Sequence, residues 1–226
     1  MGRSERAPPA PRLGRMARRS SKGEAASSGS KDATPPITVV PATADRWTDV
    51  QVLLGGDGDR GCWCQYWRQS AGDYGRLGPG GGRRALRAQL DEAIPPGVLA
   101  YVGDEVAGWC GFGPRARMER LQRSRTIPTV DDVPVWSIVC FKVRVGYRRK
   151  GVARALLDGA VACARERGAP AIEAYPIDAA GQRLDVAFSY VGFVPMFTAA
   201  GFVQLVETDA RSAGRPRILM RLDLDG

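Results

Sequence analysis

The sequence predicts a mixed α/β fold: one mixed (α+β) sheet of about seven strands, flanked by about four helices. Three observations predict it. Val135 to Ala169 reads as a nearly continuous apolar strand, a short basic turn containing Gly151, and a long helix with an apolar stripe. Val98 to Phe112 alternates around Gly103-Asp104-Glu105, which is a hairpin pattern. Two further β-rich runs, from Phe202 to Asp209 and from Arg217 to Leu224, close the chain.

The elements follow in order. Residues 1–36 are rich in Arg, Ala, Ser, Gly and Pro and poor in large apolar side chains, so they are expected to form a disordered basic tail. The single domain is expected to run over residues 37–226. Ile37 opens a strand, and Thr43 to Trp47 supply cap-type residues for a first helix. A Gly/Asp loop, Gly55 to Gly61, leads to the aromatic and sulfur-rich run Cys62 to Ser70. The glycine-rich stretch from Gly75 to Arg84 reads as a flexible loop, and Ala85 to Ile94 as a helix stopped by Pro95-Pro96-Gly97. After the hairpin, Arg115, Arg117, Arg120, Arg123 and Arg125 read first as a solvated basic face, the other reading being a run that lies near an acidic substrate. The central strand is expected at Val135 to Val145, the long helix after Gly151, and the next strand at Ala171 to Asp178. Ser189 to Phe202 carries a short helix, and the last two strands finish the sheet. In the long helix Val152, Leu156, Leu157, Val161 and Ala164 share one face and are expected in the core.

Composition removes several function classes. No apolar run reaches the ~18 residues that span a bilayer, so no membrane partner is expected. The basic N-terminus lacks the apolar core of a secretory signal. Of the net charge of +9, the first 36 residues carry +5, with eight Lys/Arg against three Asp/Glu, leaving +4 for the domain. That modest excess does not require a nucleic-acid partner. Five cysteines (Cys62, Cys64, Cys110, Cys140 and Cys163) form no evident disulfide framework and are expected reduced in the cytoplasm. The chain contains no histidine, which removes every Ser-His, Cys-His and zinc-His mechanism and points to no metal.

The turn Arg148-Arg149-Lys150-Gly151-Val152-Ala153 is the stretch richest in chemistry. Successive N–H groups opening a helix make an anion site, and glycine lets backbone approach a ligand. Three basic side chains stand at the same point, an arrangement suited to a pyrophosphate. With its strand before and helix after, this turn resembles the Arg/Gln-x-x-Gly-x-Gly/Ala motif of the Gcn5-related N-acetyltransferase (GNAT) superfamily, matched at Arg148, Gly151 and Ala153. The expected order β-α-α-β-β-β-α-β-α-β-β also resembles that superfamily from about Ile37 to Leu224.

The resemblance implies a site and a reaction. Acetyl-CoA, as co-substrate, would lie in an opening between the fourth and fifth strands. Its pantetheine arm would follow Phe141, Lys142 and Val143, and its pyrophosphate would sit on Arg148, Arg149, Lys150, Gly151, Val152 and Ala153. The acceptor would be an amine on a small molecule or a protein lysine, and homodimers occur in the family. Ser137 stands where many members carry a strand Glu, and Phe197 where many carry the Tyr of a Tyr-x-x-x-Gly-Phe pattern. Tyr190, seven residues earlier, is the candidate phenol near the sulfur; its other reading is an aromatic packed under the loop Ala179 to Phe188. Asp131 and Asp132 are candidates to orient the amine, or solvated loop carboxylates. Trp63, Tyr66, Trp67, Trp109 and Trp136 are either pocket wall or core. The missing Glu and Tyr keep a second reading open: a CoA-binding module without catalysis.

Overall fold

A computed structural model describes residues 35–179, 181 and 189–224. Most of the expected tail and most of the loop from Ala179 to Phe188 lie outside the described residues.

The seven strands form one mixed sheet in the order β1-β2-β3-β4-β5-β7-β6. They are β1 (Ile37–Pro41), β2 (Gly97–Val102), β3 (Glu105–Pro114), β4 (Trp136–Val143), β5 (Ala171–Ala174), β6 (Val203–Ser212) and β7 (Arg215–Asp223). All neighbours are antiparallel except β4 and β5, which are joined by a helical crossover. The helices are α1 (Trp47–Leu54), α2 (Ala71–Arg76), α3 (Gly81–Gln89), α4 (Glu119–Gln122), α5 (Val152–Glu166) and α6 (Val194–Thr198).

Strand alternation sends side chains to two cores. Val98, Phe112, Ile138 and Phe141 pack with α5, whose Val152, Leu156, Leu157, Val161 and Ala164 are all buried as the periodicity predicts. Leu99, Trp109 and Val139 face the other way, against Leu53 and Leu54 of α1 and Leu86 of α3. Removing such large side chains from water stabilises by about 1.5–3 kcal/mol each, so both sheet faces are covered.

The central strand is shorter than expected, and its irregularity positions everything that follows. Ile138 pairs with Phe112 and Cys140 with Gly111, so Val139 is an extra residue on β4. This β-bulge bends β4. The β4–β5 ladder ends at the same point, on the pair Ile138 and Ala174. β3 stays paired with β4 as far as Val143. The β5-facing edge of Val139 to Val143 is therefore out of the ladder.

Several expected boundaries move. The next strand stops at Ala174 rather than Asp178, although Ile177 still bridges Phe193 and Arg217. The helix expected at Ala85 to Ile94 starts earlier, at Gly81, and ends at Gln89. Gly82 lies in its first turn, where a side chain would press on the Cys62 carbonyl and the Trp63 Cβ, 3.3 and 3.4 Å away. Gly81 and Gly82 thus serve close packing, whereas a Cβ at Gly75 or Gly78 would meet nothing within 4 Å. Ser70, at the end of the aromatic run, caps α2, its Oγ accepting from Asp73 N at 3.1 Å.

Candidate active site

A cavity of about 780 Å³ opens where β4 leaves β5. One wall is Val139 to Val143 of β4, followed by Tyr147, Arg148, Arg149 and Gly151 to Ala153. The opposite wall comes from the α1–α2 connection: Asp57, Cys62, Cys64, Tyr66 and Trp67, with Tyr74 of α2. Tyr190, Gly192, Phe193 and Met196 close a third side. Of the nine residues expected to hold the cofactor, eight line this cavity. The exception is Lys150, whose ammonium lies 5.7 Å from the Tyr147 ring centroid.

The turn has the backbone an anion site needs. Arg149 (φ 60°) and Gly151 (φ 84°) are both left-handed, flanking Lys150. Gly151 is the N-cap of α5, and no side chain caps the helix. The first-turn N–H groups of this 15-residue helix are thus left for a ligand. A Cβ at Gly151 would meet only Ile37 Cδ1, at 3.6 Å, so its glycine answers to conformation and ligand approach. The residues present fit acetyl-CoA: an out-of-ladder strand edge for the amides of its arm, then a basic helix N-terminus for its phosphates.

Tyr190 lines the cavity. Burial is the main effect on its phenol and raises its pKa, with the Arg217 guanidinium pulling the other way and Cys140 adding to the rise. It is thus held as a neutral donor. Ser137 goes elsewhere. It is fully buried, outside the cavity lining, and its hydroxyl is 2.9 Å from the Tyr175 hydroxyl. A hydroxyl with no exposure and a satisfied partner does not face a substrate, so the placement of Ser137 does not suit the catalytic place that the family's strand Glu holds. Phe197, in the place of the family tyrosine, is fully buried between Phe141 and Phe202.

Ser137 belongs to a buried polar network under the fork of β4 and β5. Glu173 of β5 accepts from Arg115 at 3.1 Å, Arg221 at 2.7 Å and the Tyr175 hydroxyl at 3.0 Å. Arg115 also reaches the carbonyls of Ile127 and Pro128. Burial first, then the Glu173 charge, keep the Tyr175 phenol neutral far above neutrality. Asp131 turns to Arg221 with two hydrogen bonds and lies away from the cavity. The solvated reading of the arginine run is corrected at two places. Arg115 is only 4% exposed, and Arg120 stacks over Tyr66 at 4.1 Å and Tyr74 at 5.5 Å. Of the aromatic candidates, Tyr66 and Trp67 are wall, whereas Trp63, Trp109 and Trp136 are core.

Cys62 and Cys64, two of the five cysteines expected to be reduced, line the cavity with Cys140. The Cys140 thiol, then Arg68 and the Trp109 N–H, favour the thiolate of Cys64 against its burial. Among the described residues no three His, Cys, Asp or Glu side chains are placed to hold a metal ion. No described helix is long and apolar enough to cross a membrane.

Fold, fork and turn together are those expected of an acyl-CoA-dependent transferase. Residues 65–184 match the model of the Acetyltransferase (GNAT) family, and the chain belongs to that family. Compared with curated protein sequences, it has no significant match. Among solved structures it is similar to an N-acetyltransferase from Staphylococcus aureus Mu50, with 13% identity and a TM-score of 0.50 over 84% of this chain and 99% of that one. It is also similar to a GCN5-related N-acetyltransferase from Kribbella flavida (16% identity, TM-score 0.49, 83% and 97% covered). A third is yncA from Salmonella typhimurium with its cofactor acetyl-CoA (18%, 0.46, 84% and 94%). At these identities the likeness concerns the fold.

Proposed function

We propose that the protein moves the acetyl group of acetyl-CoA to a primary amine, on a small molecule or a protein lysine, by direct attack within a ternary complex. The observation that carries this reading is the continuity of the cavity from the out-of-ladder edge of β4 to the Gly151 turn. In it, Phe141, Lys142 and Val143 offer backbone groups to the pantetheine arm. The N–H groups of residues 149–153 and the Arg148 and Arg149 side chains take the pyrophosphate, and Lys150 adds charge from behind Tyr147.

The thioester then lies near the bulge at Val139 and Cys140, facing the aromatic wall. The amine lone pair forms the C–N bond, the C–S bond breaks, and the electron pair leaves on the CoA sulfur. Tyr190 donates a proton to that sulfur, and the N–H proton that the new amide nitrogen sheds restores the phenol. Holding two substrates in one cavity supplies much of the acceleration. Tyr66, Trp67 and Tyr74 favour an acceptor with an apolar or aromatic body.

Free CoA release, read with a thiol reagent, tests the proposal. The full chain is given acetyl-CoA with 2-phenylethylamine, spermidine or poly-lysine. Amine-dependent release supports it. Acetyl-CoA binding with no release for any amine would favour the second reading, a CoA-binding module without turnover, for which the buried Phe197 speaks.

A further inference from the structure

Cys64 is held in an unusual way for a packing thiol. Trp63 (φ 48°) and Cys64 (φ 59°) are consecutive left-handed residues, and neither is glycine. Non-glycine side chains avoid that region, and such backbones gather at functional sites. Buried Gln65 anchors the turn, its N donating to the Cys62 carbonyl at 2.9 Å and its side chain to the Trp63 carbonyl at 3.3 Å.

The turn delivers the sulfur to Gly111 of β3, which pairs with Cys140 beside the bulge. A Cβ at Gly111 would collide with it and would lie 3.1 Å from Trp109 Nε1. Trp109 is fully buried, and its Nε1 and the buried Nε of Arg68 make no hydrogen bond of ordinary geometry. A thiolate at Cys64 is the acceptor that these two buried donors otherwise lack. The titratable and charged groups around it are Cys140 of β4, Cys110 of β3 and Arg68. Cys110, which lacks the donors, shows the contrary effect: burial pushes its thiol well up.

We infer that Cys64 is the proton acceptor for the attacking amine. This rests on the acetyl-CoA reading above, which brings the thioester to the bulge that Cys64 faces. As the C–N bond forms, the N–H proton passes to the Cys64 sulfur while Tyr190 protonates the departing CoA sulfur. Cys64 is then a thiol and Tyr190 a phenolate. Proton return from one to the other, through the cavity water, resets both with no net proton change.

Two measurements on the full chain test this. The first is iodoacetamide labelling across pH, mapped by peptide mass. Cys64 should label with a midpoint well below the ordinary thiol value of about 8.5, and acetyl-CoA should slow it. Cys64 inert up to about pH 8.5, an ordinary thiol value, would overturn the assignment. The second compares wild type with Cys64→Ser, using the best acceptor of the amine panel. General base loss typically costs 10²–10⁴-fold, so kcat should fall at least about 100-fold. Acetyl-CoA affinity by calorimetry should stay within about twofold, and the acid-side inflection of kcat/KM should disappear. An unchanged pH profile with normal binding would sink this inference alone, and no acetyl-CoA binding by wild type would sink both readings. An acetyl adduct on Cys64, chased into product by amine, would make it a nucleophile and overturn the proton-acceptor role.

Discussion

The sulfur of Cys64 occupies the space that a side chain on Gly111 would fill. Two segments far apart in sequence, the left-handed turn at Trp63-Cys64 and the third strand, are thereby fitted to each other at the deep end of the cavity. Gly111→Ala should destabilise by about 1–3 kcal/mol, the usual cost of overpacking, and should displace the thiol. Denaturant unfolding together with Cys64 labelling checks it. A variant of wild-type stability whose Cys64 labels as before would show that the contact is not rigid.

The Gly151 turn makes a second prediction. Left-handed geometry costs a non-glycine residue about 1–2 kcal/mol, and no atom nearer than 3.6 Å opposes a Cβ. Gly151→Ala should therefore fold with a Tm lower by a few degrees. Gly151→Asp should fold equally well yet lose acetyl-CoA binding, because it sets a negative charge where the phosphates would rest. Calorimetry on both proteins separates the backbone effect from the charge. Wild-type affinity in Gly151→Asp would remove the turn from the site.

Much of this was legible from residue pattern. The turn, the crossover helix and the hairpin announce themselves through local periodicity, and Phe141 to Ala153 line the cavity apart from Arg144 to Gly146 and Lys150. What was not legible depends on register and on distant partners. Val139 looks like any strand residue until its pairing shows that it is the bulge. Arg115 looks solvated until Glu173, 58 positions away, receives it. Ser137 aligns with a family position, but the burial of its hydroxyl against Tyr175 is a tertiary fact. Cys64 gave no signal of its own, since a small thiol packs as readily as it reacts; its left-handed turn and its place in the cavity single it out.

Tyr190 is held neutral by burial inside the cavity. Tyr190→Phe should lower kcat by about 10²-fold, the low end for a general acid, with acetyl-CoA affinity nearly unchanged. Steady-state kinetics with calorimetry checks this. Equal turnover in the two proteins would leave Tyr190 as packing.

The network under the fork is a stability device. Arg115 and Glu173 are 5% and 2% exposed at their side chains, and removing one partner of such a pair costs about 3–5 kcal/mol. Glu173→Ala should fall in that range by urea unfolding, with the cavity lost alongside. A cost below about 1 kcal/mol would contradict the network's role.

Asp131 adds a pH term. Its hydrogen bonds to Arg221 are the main cause that lowers its carboxyl below the ordinary value of 3.8. A depressed folded-state pKa stabilises above the unfolded value and is lost as pH falls through the folded one. Asp131→Asn should thus flatten the stability decline below about pH 4 and leave its slope at neutral pH untouched. Thermal melts between pH 2.5 and 7 read both.

Whether the fork and the turn bind acetyl-CoA is decided by thermal unfolding of the full chain with and without the ligand. At 100 times its Kd a ligand specific to the folded state adds about 2.7 kcal/mol, which for a domain of this size raises Tm by about 5–10 °C. A rise of that order, absent in Gly151→Asp, is the predicted result. No rise at millimolar acetyl-CoA would contradict the account.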